Sequence, residues 1–194
     1  MSSTEALSKP DRATLLEVAR ASIRHGLDHG RALAVAPADY PETLRVPRAT
    51  FVTLEHRQRL RGCIGALAAY QPLAQDVATH AYAAAFEDPR FPELRAEEWP
   101  GLDIHISVLS PPERLQFDSE AELLEQLRPG VDGLILTFRH YRSTFLPAVW
   151  EQLPDPYVFL AQLKQKAGLP LDFWSPELRA ERYTAEYFGA AEAV

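Results

Sequence analysis

Residues 60–65, Leu60-Arg61-Gly62-Cys63-Ile64-Gly65, decide the reading of this chain. They follow a polar run, Glu55-His56-Arg57-Gln58, which turns the chain back from a first apolar strand over residues 50–55. The pattern is that of a β-hairpin, although the turn lacks the Asn-Gly or Asp-Gly pair of the tightest hairpins. Strict strand alternation puts Leu60 and Ile64 on one face and Arg61 and Cys63 on the other. On that reading a guanidinium lies beside the chain's single cysteine, where a cation favours the reactive thiolate. Gly62 and Gly65 flank the thiol. Glycine inside a strand marks a bulge, a bend, or close approach of other atoms to the backbone. The competing reading is a small buried thiol that packs as a hydrophobe.

Working outward, residues 11–27 carry Leu15, Leu16, Val18, Ala19 and Ile23 at helical spacing and end toward Gly26 or Gly30. A second helix follows Pro72, with Leu73, Val77, Ala81 and Ala84 on one face, and stops by Asp88 because Pro89 and Pro92 come next. Residues 102–109 alternate cleanly: Leu102, Ile104, Ile106 and Val108 face a core, while Asp103, His105 and Ser107 face away. His105 is thereby a candidate proton acceptor for Cys63, with Asp103 as a possible orienting carboxylate. The same face is also what a solvated antiparallel strand presents. Asp88 and Arg90 sit in a proline-braced turn, as substrate ligands or as an ion pair that holds the turn.

Further along, a helix is expected over residues 119–127 and a strand over 134–138, with Trp150 filling a core gap. Asp155-Pro156 starts another helix that Gly168 ends. Residues 179–188 read as one late strand. The turn Gly130-Val131-Asp132-Gly133 has neither the GxGxxG nor the GxxxxGK[ST] spacing, so it does not support a nucleotide site.

The 194 residues suffice for one sizeable core, or for a core with a smaller lobe. We expect a single domain over residues 11–190 preceded by a flexible stretch, 1–10. Hydrophobic residues at 46% and charged residues at 24% fit a folded soluble protein. A net charge of -7 argues against a general nucleic-acid binder. No stretch approaches the roughly 20 apolar residues of a membrane span, and the start lacks a signal-peptide pattern, so the expected location is cytoplasmic. A single cysteine excludes an intramolecular disulfide and a multi-thiolate zinc site. Of the six histidines only His25 and His29 share i,i+4 spacing on a helix; without an HExxH glutamate they read as a solvated helix end, and no metal or cofactor is assigned.

The hexapeptide at 60–65 resembles the signature of the AMMECR family, whose bacterial members are called AmmeMemoRadiSam system protein A. The resemblance extends through Phe51-Val52-Thr53-Leu54, Asp88-Pro89-Arg90-Phe91, Ile106-Ser107-Val108-Leu109-Ser110-Pro111-Pro112-Glu113, Gly130-Val131-Asp132-Gly133 and Phe145-Leu146-Pro147, in order, over residues 15–188. It implies an α+β fold: an antiparallel β-sheet flanked by helices, with a smaller second lobe. It also implies association with a MEMO-like protein, related in fold to non-haem iron dioxygenases, and with a radical S-adenosylmethionine enzyme. No settled reaction comes with it. Two positions depart from the pattern: His105, where many relatives carry an acidic or other polar residue, and Ala148, where a glutamine is usual. Cys63, Arg61 and His105 are the candidate catalytic residues, and Gly62, Gly65, Asp88 and Arg90 the candidate substrate-binding residues. The alternatives are a non-catalytic adaptor of the same system and, less favoured by charge, a nucleic-acid binder.

Overall fold

The computed structural model describes residues 6–189. The chain divides into two compact units: a larger one built from the chain up to Leu109 and from Glu186 onward, and a smaller one, Ser110–Ala185. Each has its own antiparallel sheet and its own apolar core, which makes the fold α+β.

The larger unit begins with helix α1, Lys9–His29, two residues earlier than its apolar spacing suggests. Ser8 caps it by accepting the Asp11 N–H at 3.2 Å, while the Asp11 carboxylate takes the Ser8 N–H at 3.3 Å. Leu7 is buried, and its N–H donates to the Glu186 carboxylate at 2.9 Å. The expected flexible stretch 1–10 is therefore corrected for residues 7–10, which are built into the fold; residues 1–5 lie outside the described residues, as does position 190 at the expected domain end. Gly30, at φ 67°, ends the helix in the left-handed region that glycine adopts without strain. A short helix α2, Glu42–Arg45, precedes the hairpin of β1, Thr50–His56, and β2, Arg59–Gly65. Arg57 and Gln58 make its two-residue turn with φ of 54° and 61°, the double positive φ of a type I′ turn formed without glycine.

Helix α3, Leu73–Phe86, leads through the Asp88 turn to strand β3, Leu102–Leu109. The last strand of this sheet, β8, Ala185–Gly189, comes from the far end of the chain, giving the order β2-β1-β3-β8. Val52 pairs with Ile64 on one side and Ile106 on the other, and Leu54 pairs with Ile104. These side chains meet Leu73, Val77 and Ala81 of α3 and Leu15, Ala19 and Ile23 of α1 in one core. The alanine face of α3 permits unusually close packing: a Cβ on Gly62 would lie 2.0 Å from the Ala84 carbonyl oxygen. Gly65 serves the same end on β2, since its Cβ would meet the Thr50 carbonyl at 2.3 Å.

The hairpin corrects one expectation. Between Leu54 and Glu55 the register shifts, so that Leu54 pairs with Gly62 and Glu55 with Leu60, leaving Arg61 as an extra residue on its strand. This bulge breaks the alternation that places Arg61 on the face of Cys63. Its consequence is visible at Leu60, which is 45% exposed instead of sharing the core with Ile64.

The smaller unit carries β4, Glu113–Arg114; α4, Glu120–Gln126; β5, Gly133–Phe138; β6, Tyr141–Phe145; α5, Pro156–Ala167; and β7, Arg179–Tyr183. Its sheet runs β4-β7-β5-β6. Asp155 caps α5 by accepting the N–H groups of Tyr157 and Val158, Pro156 fills the first helical position, and Gly168 closes it at φ 89°. Trp150 stacks on Phe159 at 3.8 Å between ring centroids, and its indole N–H donates to the Asp132 carbonyl at 2.7 Å. The single late strand expected at 179–188 is instead two, β7 and β8, interrupted at Thr184 and belonging to different sheets.

Gly62→Ala is expected to destabilise the protein by about 2 kcal/mol or more, because the neighbour it strikes is backbone that cannot rotate away. Urea unfolding would register this as a lower midpoint with an unchanged slope. An unchanged midpoint would mean that α3 does not seat on β2 as described.

Candidate functional site

On the sheet face opposite the helices, Thr53 of β1 stands between two neighbours. It pairs with Cys63 of β2 and, on its other side, with His105 of β3. The Thr53 hydroxyl donates to the Cys63 sulfur at 3.3 Å, and the cysteine is half-buried, neither sealed in the core nor fully open. Adjacent strands lie about 4.8 Å apart, so Cys63 and His105 are separated by roughly 10 Å. The two residues share a face but do not form a proton-transfer pair. His105 stacks instead on Tyr187 of β8, with centroids 5.2 Å apart and planes 6° from parallel. Its buried Nδ1 has no hydrogen-bond partner among the described residues. The result is a transverse row, Cys63-Thr53-His105-Tyr187, drawn from all four strands.

The cation near the sulfur is Arg90. Its guanidinium donates to the Cys63 carbonyl at 3.4 Å, and the two side chains interact electrostatically. Asp88 holds it there. The Asp88 carboxylate accepts from Arg90 Nε at 3.0 Å, Arg90 Nη2 at 2.7 Å, the Arg90 backbone N–H at 3.1 Å, and the Cys63 N–H at 2.9 Å. Arg90's hydrogen bonds above all, then those backbone N–H groups, hold the Asp88 carboxyl well below the usual carboxylate range despite its burial. In return the carboxylate raises the Arg90 pKa. Asp88 thus has its oxygens engaged internally, whereas the Arg90 side chain remains 55% exposed.

Arg61, carried out of register by the bulge, faces a different partner. Its Nε and Nη2 donate to the two Glu98 oxygens at 2.7 and 3.0 Å, and Nη2 also reaches the Glu93 carbonyl at 3.2 Å. This bidentate pair pulls the Glu98 pKa from an ordinary 4.5 down to about 2. Arg61, Pro92, Arg95, Glu97 and Glu98 line an open cleft of about 590 Å³. Cys63 is not among its lining residues. Of the sequence-predicted site residues, then, Cys63, Asp88 and Arg90 come together. Arg61 braces the neighbouring cleft, His105 lies across Thr53, and Gly62 and Gly65 admit close backbone contacts.

Two groups escaped the sequence reading. Thr53 is not visible from the turn, because a turn centred on 57–58 puts position 53 opposite 62, and only the bulge at Arg61 brings it opposite Cys63. The other is a buried network: Thr50 donates to Asp76 at 2.6 Å, and His80 Nδ1 lies 3.0 Å from the Thr50 hydroxyl and 3.1 Å from Asp76. Asp76 and His80 are four residues apart on α3, a spacing that the sequence does display. Among the described residues no group of three or more His, Cys, Asp or Glu side chains gathers as a metal site. No described helix is long and apolar enough to cross a membrane.

Comparison with known proteins matches residues 16–188 to the model of the AMMECR1 family. A protein of Methanothermobacter thermautotrophicus is 40% identical over 184 residues, covering 94% of this chain and 95% of its own. One of Methanocaldococcus jannaschii is 38% identical over 157 residues, covering 79% of this chain and 78% of its own. The crystal structure of an uncharacterized protein from Pyrococcus horikoshii superposes with a TM-score of 0.82 at 34% identity, covering 91% of this chain and 89% of that one.

The Arg61–Glu98 pair sets a pH dependence whose sign follows from the lowered carboxylate. Its stabilisation is fully present above pH 4.5 and is lost as pH falls toward about 2. Glu98→Gln is expected to cost on the order of 1–2 kcal/mol at neutral pH, for a pair that is neither exposed nor fully buried. It should also flatten the loss of stability in that acid window, read as urea midpoints at several pH values. Parallel profiles for the parent and the variant would refute the assignment.

Proposed function

The chain belongs to the AMMECR1 family, and from that premise we propose that it acts through Cys63 as the reactive group of a small-molecule site. In this reading it works beside a MEMO-like protein and a radical S-adenosylmethionine enzyme. The observation that carries the proposal is the pair of groups at the thiol: the Thr53 hydroxyl donating to sulfur at 3.3 Å and the Arg90 guanidinium beside it. A polar partner at the sulfur and a cation held close by suit a site built around a thiol, and Arg90 is exposed enough to hold an anionic substrate.

The roles divide accordingly. Cys63 gives its thiol proton to water and its sulfur adds to an electrophilic double bond of a small anionic substrate. The π electron pair moves onto the substrate atom that takes up a proton from water, and Arg90 binds that substrate's negative group. Asp88 is a positioning residue, fixing Arg90 and the Cys63 backbone together. Thr53 steadies the sulfur. His105, a strand beyond Thr53, meets the far end of a ligand lying along the row instead of removing the thiol proton. Arg61 shapes the adjoining cleft through Glu98, and Gly62 and Gly65 let the strand sit close to α3 and β1.

A second reading, an adaptor that docks on one of those partner proteins without chemistry, draws support from the same charges. Arg61 and Asp88 are both engaged by internal partners, which makes residues 88–98 a braced surface.

Because Cys63 is the only cysteine, iodoacetamide labelling followed by mass reads a single site. The folded protein is expected to label, with Thr53→Val, which removes the hydroxyl donor at the sulfur, and Arg90→Gln, which removes the nearby cation, each slowing the reaction roughly tenfold. A thiol that labels only after denaturation eliminates the chemical role. Cys63→Ser then separates the two readings: a pathway phenotype lost while complex formation persists supports chemistry, and both retained supports the adaptor.

A further inference from the structure

Away from the Cys63 face, the C-terminal turn of α1 presents His25 and His29 with their rings stacked, 4.3 Å between centroids and 14° between planes. Residues four apart on a helix lie one above the other, so both imidazoles project from the same side. The His29 Nδ1 lies 3.3 Å from the His25 carbonyl oxygen. A carbonyl only accepts, so Nδ1 carries a proton, and in the neutral ring the lone pair is on His29 Nε2. This is the arrangement found at metal-binding histidines, where a backbone carbonyl fixes the tautomer and turns the other nitrogen toward the ion. The helix C-terminus adds a partial negative charge that favours a cation. Asp28, the carboxylate next to His29, is paired with Arg24 at 3.6 Å.

We propose that His25 and His29 form a two-imidazole surface site for a borderline divalent transition ion, of which Ni²⁺, Zn²⁺ and Cu²⁺ are the chemical class. Imidazole selects these ions over Mg²⁺ and Ca²⁺, which prefer oxygen ligands. No cluster of three or more ligating side chains surrounds the pair among the described residues, so water completes the shell and the ion exchanges readily. Both ligands come from one rigid helix, and the second imidazole therefore binds without further loss of freedom. Linked binding groups of this kind exceed either group alone by about a hundredfold or more. The chelate exists only while the helix is formed, so the ion stabilises the folded protein by mass action.

The test titrates the full chain with Ni²⁺ by calorimetry and follows the thermal unfolding midpoint with Ni²⁺ and with Mg²⁺. Expected are one ion per chain, a midpoint that rises with Ni²⁺ but not Mg²⁺, and an affinity about a hundredfold lower in His25→Ala and in His29→Ala. His140→Ala and Cys63→Ser should leave both readouts unchanged. Alanine favours a helix, so the two α1 variants retain the fold, which circular dichroism verifies. The proposal is overturned if Ni²⁺ does not bind, if its affinity is unchanged in either α1 variant, if binding is lost in His140→Ala or Cys63→Ser, or if one ion is held by two chains.

Discussion

The contact between Gly62 and the Ala84 carbonyl governs what surrounds the thiol. With no side chain at 62, α3 settles directly onto β2, and the helix then delivers its C-terminal end beside the middle of that edge strand. The chain leaving α3 is drawn back by the Leu94 N–H bonding the Ala85 carbonyl at 2.8 Å. Asp88 is thereby brought against the Cys63 backbone, and Arg90 against Asp88. A methyl group at one backbone position would push apart the whole chain of contacts, from helix to turn to guanidinium to the Cys63 backbone.

Two carboxylates of the larger unit are matched with similar economy. Asp76 has no solvent exposure, yet it receives hydrogen bonds from Thr50 and Gln71 and lies beside His80. Glu186 collects the Leu7 N–H, Arg12 and Arg48, tying the start of α1 and the segment before β1 to the final strand. Burying a carboxylate costs several kcal/mol unless it is paired and hydrogen-bonded, and these are.

Local signals were the readable ones. Asp155-Pro156 and Gly168 bracket α5 because capping chemistry is confined to a few neighbouring residues, and the alternation of Leu102 to Val108 shows β3 without any partner being known. The position of Arg61 was not readable in this way. Alternation assumes an unbroken ladder, and a single inserted residue reverses every later assignment. Its partner Glu98 is 37 positions away, beyond the reach of any periodicity. The division of residues 179–188 at Thr184 was hidden for a related reason: two short strands in different sheets look locally like one irregular strand. Cys63, Asp88 and Arg90 were found by residue type and motif. Thr53 was missed because its role comes from register, and here the bulge at Arg61 moves the register by one residue.

The smaller unit is inserted into the larger one, and the insertion is fastened at its base, where Ser110 and Thr184 exchange backbone and side-chain hydrogen bonds at 2.9 Å. Vectorial synthesis therefore releases β1, β2 and β3 from the ribosome long before their fourth strand exists. Until β8 emerges, β3 has an unpaired edge and Arg12 and Arg48 lack the carboxylate that neutralises them. Synthesis of the inserted residues must finish before the four-stranded sheet of the larger unit can close, which makes β8 the segment that commits β1, β2 and β3 to their native arrangement.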